Sequence, residues 1–483
     1  MNASPAHSAG ESHAWIELAR DGLPKRPASE RVSDFLEIYG LYDEVVAREQ
    51  ASRCLQCPEP LCVVGCPVHA QIPEWLALTA EGRIREAATL VRSTNTLSEV
   101  CAKVCPADHL CEATCVITGR AQPVSIWAVE QFLNEYALAQ GLVQEANAPA
   151  NGWRVAVMGA GPGGLACADE LAKRGYAVTV FDSRPVAGGL LVYGTPAFRL
   201  ERSIVDRRVE LLKRRGVVFR LGVKIGQDPS REDLQARFDC VYLGFGARRA
   251  RTLDLPGIGL KGVSQATGFI AQAQVDLPRE VPPVDVVGKR VVVLGGGDTA
   301  IDCLRTAVRC GAREAIGVYR RDLDNLRCSH REFENAVEEG VRFLFQSAPV
   351  AIVGNPEGQV TGLRLIRTEP GLIVEERRSF CAQPGTEYEI EADQVFLAVG
   401  FDPETHSASN PFTDLRLNPD GLVAVDASQM TSIPGVFAGG ELVRGPSPTL
   451  ETVRDARKAV TGIVGFLASQ VRQSSERRAI NAD

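Results

Sequence analysis

Two copies of one pattern, strand then glycine turn then helix then strand, constrain the fold of this chain most strongly. The first copy runs from WRVAVMG at 153–159 to AVTVFD at 177–182, and the second from KRVVVLG at 289–295 to AIGVYRR at 315–321. Such a unit pairs two parallel strands and binds a dinucleotide at the glycine turn. The sequence therefore predicts an α/β fold with two Rossmann-like dinucleotide-binding domains.

The first glycine turn is G-x-G-x-x-G, formed by Gly159, Gly161 and Gly164, and Asp182 ends the following strand. The first glycine permits a tight turn, the second lets the backbone approach a pyrophosphate, and the third lets the helix pack on the strand. An acid at this position accepts hydrogen bonds from an unphosphorylated ribose, which FAD and NAD both carry. The alternative is a glycine turn that only packs against its neighbours.

The second turn reads G-x-G-x-x-A and its following strand ends in arginines instead of an acid. Arginine suits the 2′-phosphate of NADPH, so we predict NADPH at this turn. The predicted turn residues are Gly295, Gly297, Asp298, Thr299 and Ala300. The predicted phosphate ligands are Arg320, Arg321 and Arg327. The alternative is that these arginines are ordinary solvated surface residues.

Eight of the 14 cysteines lie between residues 54 and 115, in two closely spaced runs. The first run is Cys54, Cys57, Cys62 and Cys66, and the second is Cys101, Cys105, Cys111 and Cys115. Two 4Fe–4S clusters would take about eight thiolates, four for each cluster. The helical spacing of apolar residues around these runs predicts helices with the cysteines in the turns between them. Electron transfer between clusters and dinucleotides is the chemistry that this combination indicates.

Zinc and disulfides are the alternatives for these cysteines. A zinc-stabilised interaction module without turnover would favour paired C-x2-C elements, but the runs contain only one C-x2-C. Disulfides need an oxidising compartment. The first twenty residues contain no apolar stretch typical of a secretory signal, so we expect free thiols in a cytoplasmic protein.

Charge and hydropathy exclude two classes of partner. The chain has 483 residues, a formal charge of −7 and dispersed arginines, so a nucleic-acid partner is not expected. An uninterrupted apolar run of about 18 residues, which a membrane span requires, is also missing from the sequence. None of the six histidines lies in a catalytic motif, and we predict no catalytic acid or base.

Several consecutive stretches resemble the small (β) subunit family of NADPH-dependent glutamate synthase, which is related to the flavin half of dihydropyrimidine dehydrogenase. The resemblance covers about residues 35 to 470, and its clearest stretches are ASRCLQCPEPLCVVGCPVHAQIPEWL, STNTLSEVCAKVCPADHLCEATC, GGLLVYGTPAFRLE and VFAGGELVRG. Two other stretches, NLRCSHRE and ETVRDARKA, lean toward the dihydropyrimidine dehydrogenase pattern.

The resemblance implies four segments along the chain. Residues 1–148 would be a helical domain with two 4Fe–4S clusters, and residues 288–390 an NADPH-binding domain inserted into an FAD-binding domain. The two parts of the FAD-binding domain would be 149–287 and 391–483, the second including a C-terminal helix. We also expect the strands within 394–401 and 435–441 to complete the first dinucleotide domain.

The resemblance also implies site residues. Along the FAD it places Gly188, Gly189, Leu190, Arg199, Gly439, Gly440 and Glu441. It divides the cluster ligands into Cys54, Cys57, Cys62 and Cys115 for one cluster, and Cys66, Cys105 and Cys111 for the other. The fourth ligand of the second cluster would be either Cys101 or Glu130.

The implied function is delivery of electrons. NADPH would reduce FAD, and the clusters would pass electrons to a large, FMN-bearing partner subunit that makes L-glutamate from L-glutamine and 2-oxoglutarate. Catalysis would consist of positioning NADPH against FAD. The alternative is a related reductase that serves another acceptor, such as a pyrimidine.

Overall fold

The computed structural model describes residues 14–142, 147–224, 226, 229–247, 249–274, 284–374, 377–402 and 411–480. The chain divides into two compact units. The first consists of residues up to Arg26 together with Tyr39–Ala146, and the second of Pro27–Ile38 together with Asn147–Asp483. Among the described helices, none has the length and apolar character that crossing a membrane requires.

The first unit is helical. The α-helices up to residue 139 are α1 (Ala14–Glu17), α2 (Ala28–Arg31), α3 (Glu44–Ser52), α4 (Leu61–Val64), α5 (Ile72–Ala80), α6 (Ile84–Thr94), α7 (Ser98–Val104) and α8 (Ile126–Ala139). Of these, α2 belongs to the second unit. Helix α8 packs against α3, α6 and α7. Its buried Val129 and Leu133, with Trp75 of α5, belong to the apolar core. The cysteines lie in and beside the short helices and turns between these longer helices.

The second unit alternates strands and helices. Its first elements are β1 (Arg154–Met158), α9 (Pro162–Lys173), β2 (Ala177–Asp182), α10 (Leu190–Tyr193), α11 (Arg202–Arg214), β3 (Val218–Leu221), α12 (Arg231–Arg237), β4 (Cys240–Leu243) and β5 (Arg249–Ala250). The next are β6 (Val263–Gln265), α13 (Ala266–Ala273), β7 (Arg290–Leu294), α14 (Asp298–Arg309), β8 (Glu314–Val318), α15 (His330–Glu338) and β9 (Arg342–Leu344). The last are β10 (Ser347–Gly354), β11 (Val360–Val374), β12 (Arg377–Ala382), β13 (Tyr388–Glu391), β14 (Gln394–Leu397), β15 (Phe401–Asp402), β16 (Val436–Ala438), α16 (Glu441–Arg444) and α17 (Thr449–Ile480).

Two five-stranded parallel sheets form the centres of the two dinucleotide domains. Their strand orders are β16-β4-β1-β2-β3 and β6-β14-β7-β8-β9. The central strands β1 and β7 are continuous apolar runs and are buried over four of their five residues, as expected for parallel strands covered on both faces. Strands β10 to β13 form a separate antiparallel sheet. The predicted α/β fold is therefore confirmed.

One strand belongs to a different sheet from the one we expected. Residues 394–401 were expected to complete the first domain, but β14 pairs in parallel with β6 and β7 of the second sheet. Burial explains this pairing, because Phe396 is fully buried and stacks on Phe269 of α13 with ring centroids 4.5 Å apart. Strand β16 does pair with β4 and completes the first sheet. The second sheet thus extends from 263 to 397, beyond the predicted limits of 288 and 390.

Residues 27–38 also group differently from the predicted N-terminal segment 1–148, since they belong to the second unit. Arg31 is 1% exposed, and its Nε donates to Glu339 Oε1 at 2.8 Å. Phe35 packs on Phe198 with ring centroids 6.0 Å apart. A buried guanidinium is costly unless it is paired or hydrogen-bonded, and Glu339 pairs with it here.

Candidate functional site

A cavity of about 520 Å³ opens at the ends of β1, β2 and β4 in the first dinucleotide domain. This is within the range of about 300–1,000 Å³ that ligand sites usually occupy. The predicted residues that line it are Gly159, Gly161, Asp182, Gly189, Leu190, Gly439, Gly440 and Glu441. Gly164, Gly188 and Arg199 are not among the lining residues. The structure therefore brings together predicted residues from both sequence pieces of this domain.

The glycine turn after β1 is closely packed. Gly159 has φ +102°, and a Cβ there would lie 2.6 Å from the carbonyl oxygen of Gly244. A Cβ on Gly164 would collide with the carbonyl oxygen of Gly159, so only glycine lets α9 approach β1 this closely. The N-terminus of α9 follows directly at Pro162. Its free backbone N–H groups and positive dipole end suit a diphosphate.

Asp182 ends β2 at the wall of this cavity. Its Oδ2 accepts the N–H of Ala160 at 2.7 Å, and its Oδ1 accepts the N–H of Arg184 at 2.8 Å. These two bonds fix the orientation of the carboxylate. Each oxygen keeps acceptor capacity for a further donor such as a ribose hydroxyl. The geometry therefore fits a dinucleotide with an unphosphorylated ribose.

The opposite side of the cavity is formed where β16 leads into α16. Gly440 has φ +70°, and its N–H donates to Asp455 Oδ2 at 3.1 Å. Glu441 Oε2 accepts the N–H of Ala247 at 3.2 Å, and burial raises the pKa of this carboxyl group. Asp455, which we did not predict, is fully buried and also pairs with Arg444. It holds the glycine turn in place.

Several further polar side chains of the cavity wall were not predicted, among them Arg184, Lys224 and Thr452. The guanidinium of Arg184 lies 4.8 Å from the centre of the Tyr193 ring, which also lines the cavity. The position of Arg184 two residues after Asp182 was the only available signal for it. Lys224 and Thr452 carry no recognisable motif.

The second glycine turn lies between β7 and α14. Gly295 has φ +148°, and Gly296 lies against the ring of Tyr319, where a Cβ would come within 2.5 Å of the ring carbons. Gly297 precedes α14 and has open space around it, with no atom within 4 Å of a Cβ built there. The predicted residues Asp298, Thr299 and Ala300 form the first turn of α14. An open glycine at a helix N-terminus fits a pyrophosphate.

The three arginines predicted for the 2′-phosphate lie near one side chain, that of Tyr319. The charges of Arg320, Arg321 and Arg327 all act on the hydroxyl group of Tyr319. Burial raises the pKa of Tyr319, and these three charges oppose the rise. Arg320 and Arg327 are exposed and Arg321 is half-buried. This positive region beside the second turn fits a phosphate group.

Four cysteines from both runs line one small cavity in the first unit. They are Cys54, Cys57, Cys62 and Cys115. Within the described residues, no three His, Cys, Asp or Glu side chains are close enough to hold a single metal ion. A four-iron cluster is bound at its corners, so its thiolates lie farther apart than those around one zinc ion. Burial raises the pKa of Cys54 to about 11 and that of Cys62 to about 12. The donor set is the one the resemblance implied for one cluster.

The two cysteine runs are packed against each other. Thr114 Oγ1 donates to the carbonyl oxygen of Leu61 at 3.0 Å, and Gly65 leaves no room for a Cβ beside this threonine. Gln56, inside the C-x2-C loop, has φ +51°, a conformation that non-glycine residues adopt only where the surroundings enforce it. The buried Arg53 donates to the carbonyl oxygens of residues 18, 122 and 123. It fixes the chain just before Cys54.

Members of the second predicted ligand set lie near one another. Burial is the main cause that raises the pKa of the Cys111 thiol, and the charges of Glu112, Cys105, Cys66 and Glu130 add to the rise. Burial likewise raises the pKa of Cys101, which lies near Glu130 and Cys66. Removal from water raises the pKa of Glu130 to about 8. Both alternatives for the fourth ligand therefore lie near Cys66, and Glu130 also lies near Cys111.

Known families match both units of the chain. Residues 31–142 match the family described as dihydropyrimidine dehydrogenase domain II, 4Fe-4S cluster. Residues 153–459 match pyridine nucleotide-disulphide oxidoreductase. The glutamate synthase (NADPH) small chain of Escherichia coli K12 is 41% identical over 94% of this chain and 98% of its own length. The chain belongs to the glutamate synthase small-chain family.

Other members of the glutamate synthase small-chain family match equally well. The small chain of Azospirillum brasilense is 42% identical over 94% of this chain and 95% of its own length. Among solved structures, Mycobacterium tuberculosis FprA in complex with NADPH aligns with a TM-score of 0.57. That alignment covers 68% of this chain and 86% of FprA at 21% identity, which shows a shared fold. The chain described here is therefore an oxidoreductase with an N-terminal iron–sulfur domain and two dinucleotide-binding domains.

Proposed function

We propose that this protein is the electron-input subunit of a glutamate synthase. NADPH would give a hydride to FAD and leave as NADP⁺, and the two electrons would pass singly through two 4Fe–4S clusters to a large FMN-bearing subunit. The overall reaction would convert L-glutamine, 2-oxoglutarate, NADPH and H⁺ into two L-glutamate and NADP⁺. We expect this to take place in the cytoplasm.

The observation that carries this proposal is the convergence of cysteines from both runs on one cavity in a chain with two dinucleotide turns. A dehydrogenase that exchanged hydride between two bound molecules would not need the cysteine domain. A chain that also holds clusters can convert a two-electron donor into single-electron steps. Family membership supports the same reading.

The roles of the residues follow from their positions. The N-terminus of α9 and Gly161 would hold the FAD diphosphate, and Asp182 would bind its ribose. The start of α14 would hold the NADPH diphosphate, with Arg320 and Arg321 beside the 2′-phosphate. The protein would bind and orient both molecules and exclude water, since hydride transfer needs no protein acid or base.

The test is reconstitution with a large glutamate synthase subunit. The anaerobically purified protein should contain about eight iron atoms and one FAD. With the large subunit, L-glutamine, 2-oxoglutarate and NADPH, it should form L-glutamate at a rate that matches NADPH oxidation. Reduction of an artificial dye by NADPH without any L-glutamate formation would contradict the proposed acceptor while leaving the electron input intact.

A second candidate is a reductase subunit for a pyrimidine or another acceptor. It is favoured by the match of residues 31–142 to a dihydropyrimidine dehydrogenase domain. Uracil or thymine, supplied with the catalytic part of a pyrimidine reductase in place of the large subunit, tests it. Oxidation of NADPH that depends on the pyrimidine would support this candidate, and its absence beside active glutamate formation would eliminate it.

A further inference from the structure

Residues 195–199, here called the bridge segment, connect the first dinucleotide site to the second domain. Thr195 lines the large cavity. Its carbonyl oxygen accepts a hydrogen bond from Nε2 of Gln274 at 2.9 Å. Gln274 follows α13, which packs on α14 and joins β6 of the second sheet. The end of the bridge segment nearest the cavity is therefore already bonded to the second domain.

At its other end, the bridge segment places a buried cation against α14. Arg199 Nη1 lies 2.9 Å from Asp302 Oδ2, and Nη2 lies 3.4 Å from Asp298 Oδ1. The side chains of Arg199 and Asp302 are 6% and 4% exposed. Asp298 is the first residue of α14, directly after the second glycine turn. The cation of the first domain thus contacts the element that forms the second dinucleotide site.

Phe198 extends the same contact along α14. It is fully buried, and the guanidinium carbons of Arg305 and Arg309 lie 4.5 and 3.9 Å from the centre of its ring. Glu332 and Glu339 face these two arginines, and both are buried. Contacts with the bridge segment are therefore spread over three turns of α14. A helix held over this length cannot tilt without breaking several buried contacts.

We propose that the bridge segment fixes the second dinucleotide domain in the orientation that hydride transfer requires, with Arg199 as its positioning residue. The inference rests on the proposed transfer from NADPH to FAD and adds the residues that set its geometry. Resemblance to the family placed Arg199 along the FAD, whereas the structure pairs it with α14 and leaves it out of the cavity wall. A displacement of about 1 Å can slow an oriented reaction about 100-fold.

The test is anaerobic stopped-flow reduction of bound FAD at increasing NADPH concentration, in the full-length protein. We expect Arg199→Gln and Asp302→Asn each to lower the limiting rate of flavin reduction by about 10-fold or more. FAD content, the flavin spectrum and the NADPH dissociation constant should stay as in the wild type. The double variant should be no slower than the slower single variant, because both remove the same contact.

Arg208→Gln is the matched control. Arg208 is also a buried arginine, paired with Asp169 at 3.3 Å, but both residues lie within the first domain. We expect this variant to lower the unfolding temperature without changing the limiting rate. If Arg208→Gln lowered the limiting rate of flavin reduction as much as Arg199→Gln does, the effect would come from a general loss of stability, and the inference would be overturned.

Two other results would also overturn it. A wild-type limiting rate in Arg199→Gln is one, and loss of FAD together with the rate is the other, because that loss would assign Arg199 to flavin binding. If Arg199→Gln does not fold, Asp302→Asn decides by the same criteria. Failure of the proposed hydride transfer from NADPH to FAD would look different, since wild-type FAD would then not be reduced by NADPH at all, whereas failure of the proposed acceptor alone would leave this measurement unchanged.

Discussion

The fourth ligand of the second cluster is a question about two side chains, Cys101 and Glu130. The thiol of Cys101 has a hydrogen-bond partner in Asn95, whereas burial is the one cause that shifts the pKa of the Glu130 carboxyl group. The Glu130 side chain is half-buried on α8, and a cluster iron beside it would stabilise its charged form. We therefore predict that Glu130 is the ligand.

Iron analysis of two variants checks this prediction. Glu130→Ala should bind about four iron atoms in place of about eight, and Cys101→Ala should keep about eight. In electron paramagnetic resonance of the reduced proteins, the signal of one cluster should be missing from Glu130→Ala and present in Cys101→Ala. The opposite pattern of iron contents would make Cys101 the ligand.

Asp182 is predicted to contribute to FAD affinity through its carboxylate. Asp182→Ala removes the acceptor for two backbone N–H groups and for the ribose. Hydrogen bonds to a charged group contribute about 1.5–3 kcal/mol, so FAD should bind about 10-fold or more weakly. Fluorescence titration of the flavin-free protein measures this. Asp206→Ala, which removes an exposed aspartate of the same domain, should bind FAD as the wild type does.

At the scale of single elements, the packing of α9 on β1 depends on Gly164, which has no Cβ. Gly164→Ala would push its Cβ into the carbonyl oxygen of Gly159. Overpacking of this kind usually costs about 1–3 kcal/mol. We expect a lower free energy of unfolding and a lower FAD content, measured by urea denaturation and flavin absorbance.

A glycine in another helix provides the control for Gly164→Ala. Gly465 lies in α17 with no atom within 4 Å of a Cβ built there. Alanine is favoured over glycine in a helix by about 0.5–1 kcal/mol, so Gly465→Ala should stabilise the protein slightly. Equal destabilisation in both variants would mean that close packing is not the reason for Gly164.

Coenzyme choice concerns the second domain as a whole. The arginines around Tyr319 would contact only the 2′-phosphate, so Arg320→Ala and Arg321→Ala should each raise the KM for NADPH about 10-fold. The KM for NADH should change little. Arg313→Ala, an exposed arginine of the same domain, should leave both constants unchanged. Steady-state dye reduction with each coenzyme measures these values, and an equal rise for NADH would contradict the assignment.

Much of the molecule could be predicted from local patterns. The glycine turns, Asp182 and the cysteine runs each occupy a short stretch with a recognisable spacing. The structure places Gly161 and Asp182 on one cavity and four of the cysteines on another. The sheet to which residues 394–397 belong could not be predicted, because a short apolar strand carries no signal for its neighbours. The partners of Arg31 and Arg199 were also out of reach, since an ion pair between distant segments exists only after folding.

The pairing of β16 with β4 has a consequence for how the protein is made. In the sequence, β4 precedes all strands of the second dinucleotide domain and β16 follows them. A ribosome therefore releases a complete second sheet before the first one can close, and contacts of such long range form late. The second domain can fold while the first still lacks an edge strand and the Gly440 turn. The wall of the proposed FAD site, which includes Gly439, Gly440 and Glu441, is therefore completed only after nearly the whole chain has emerged.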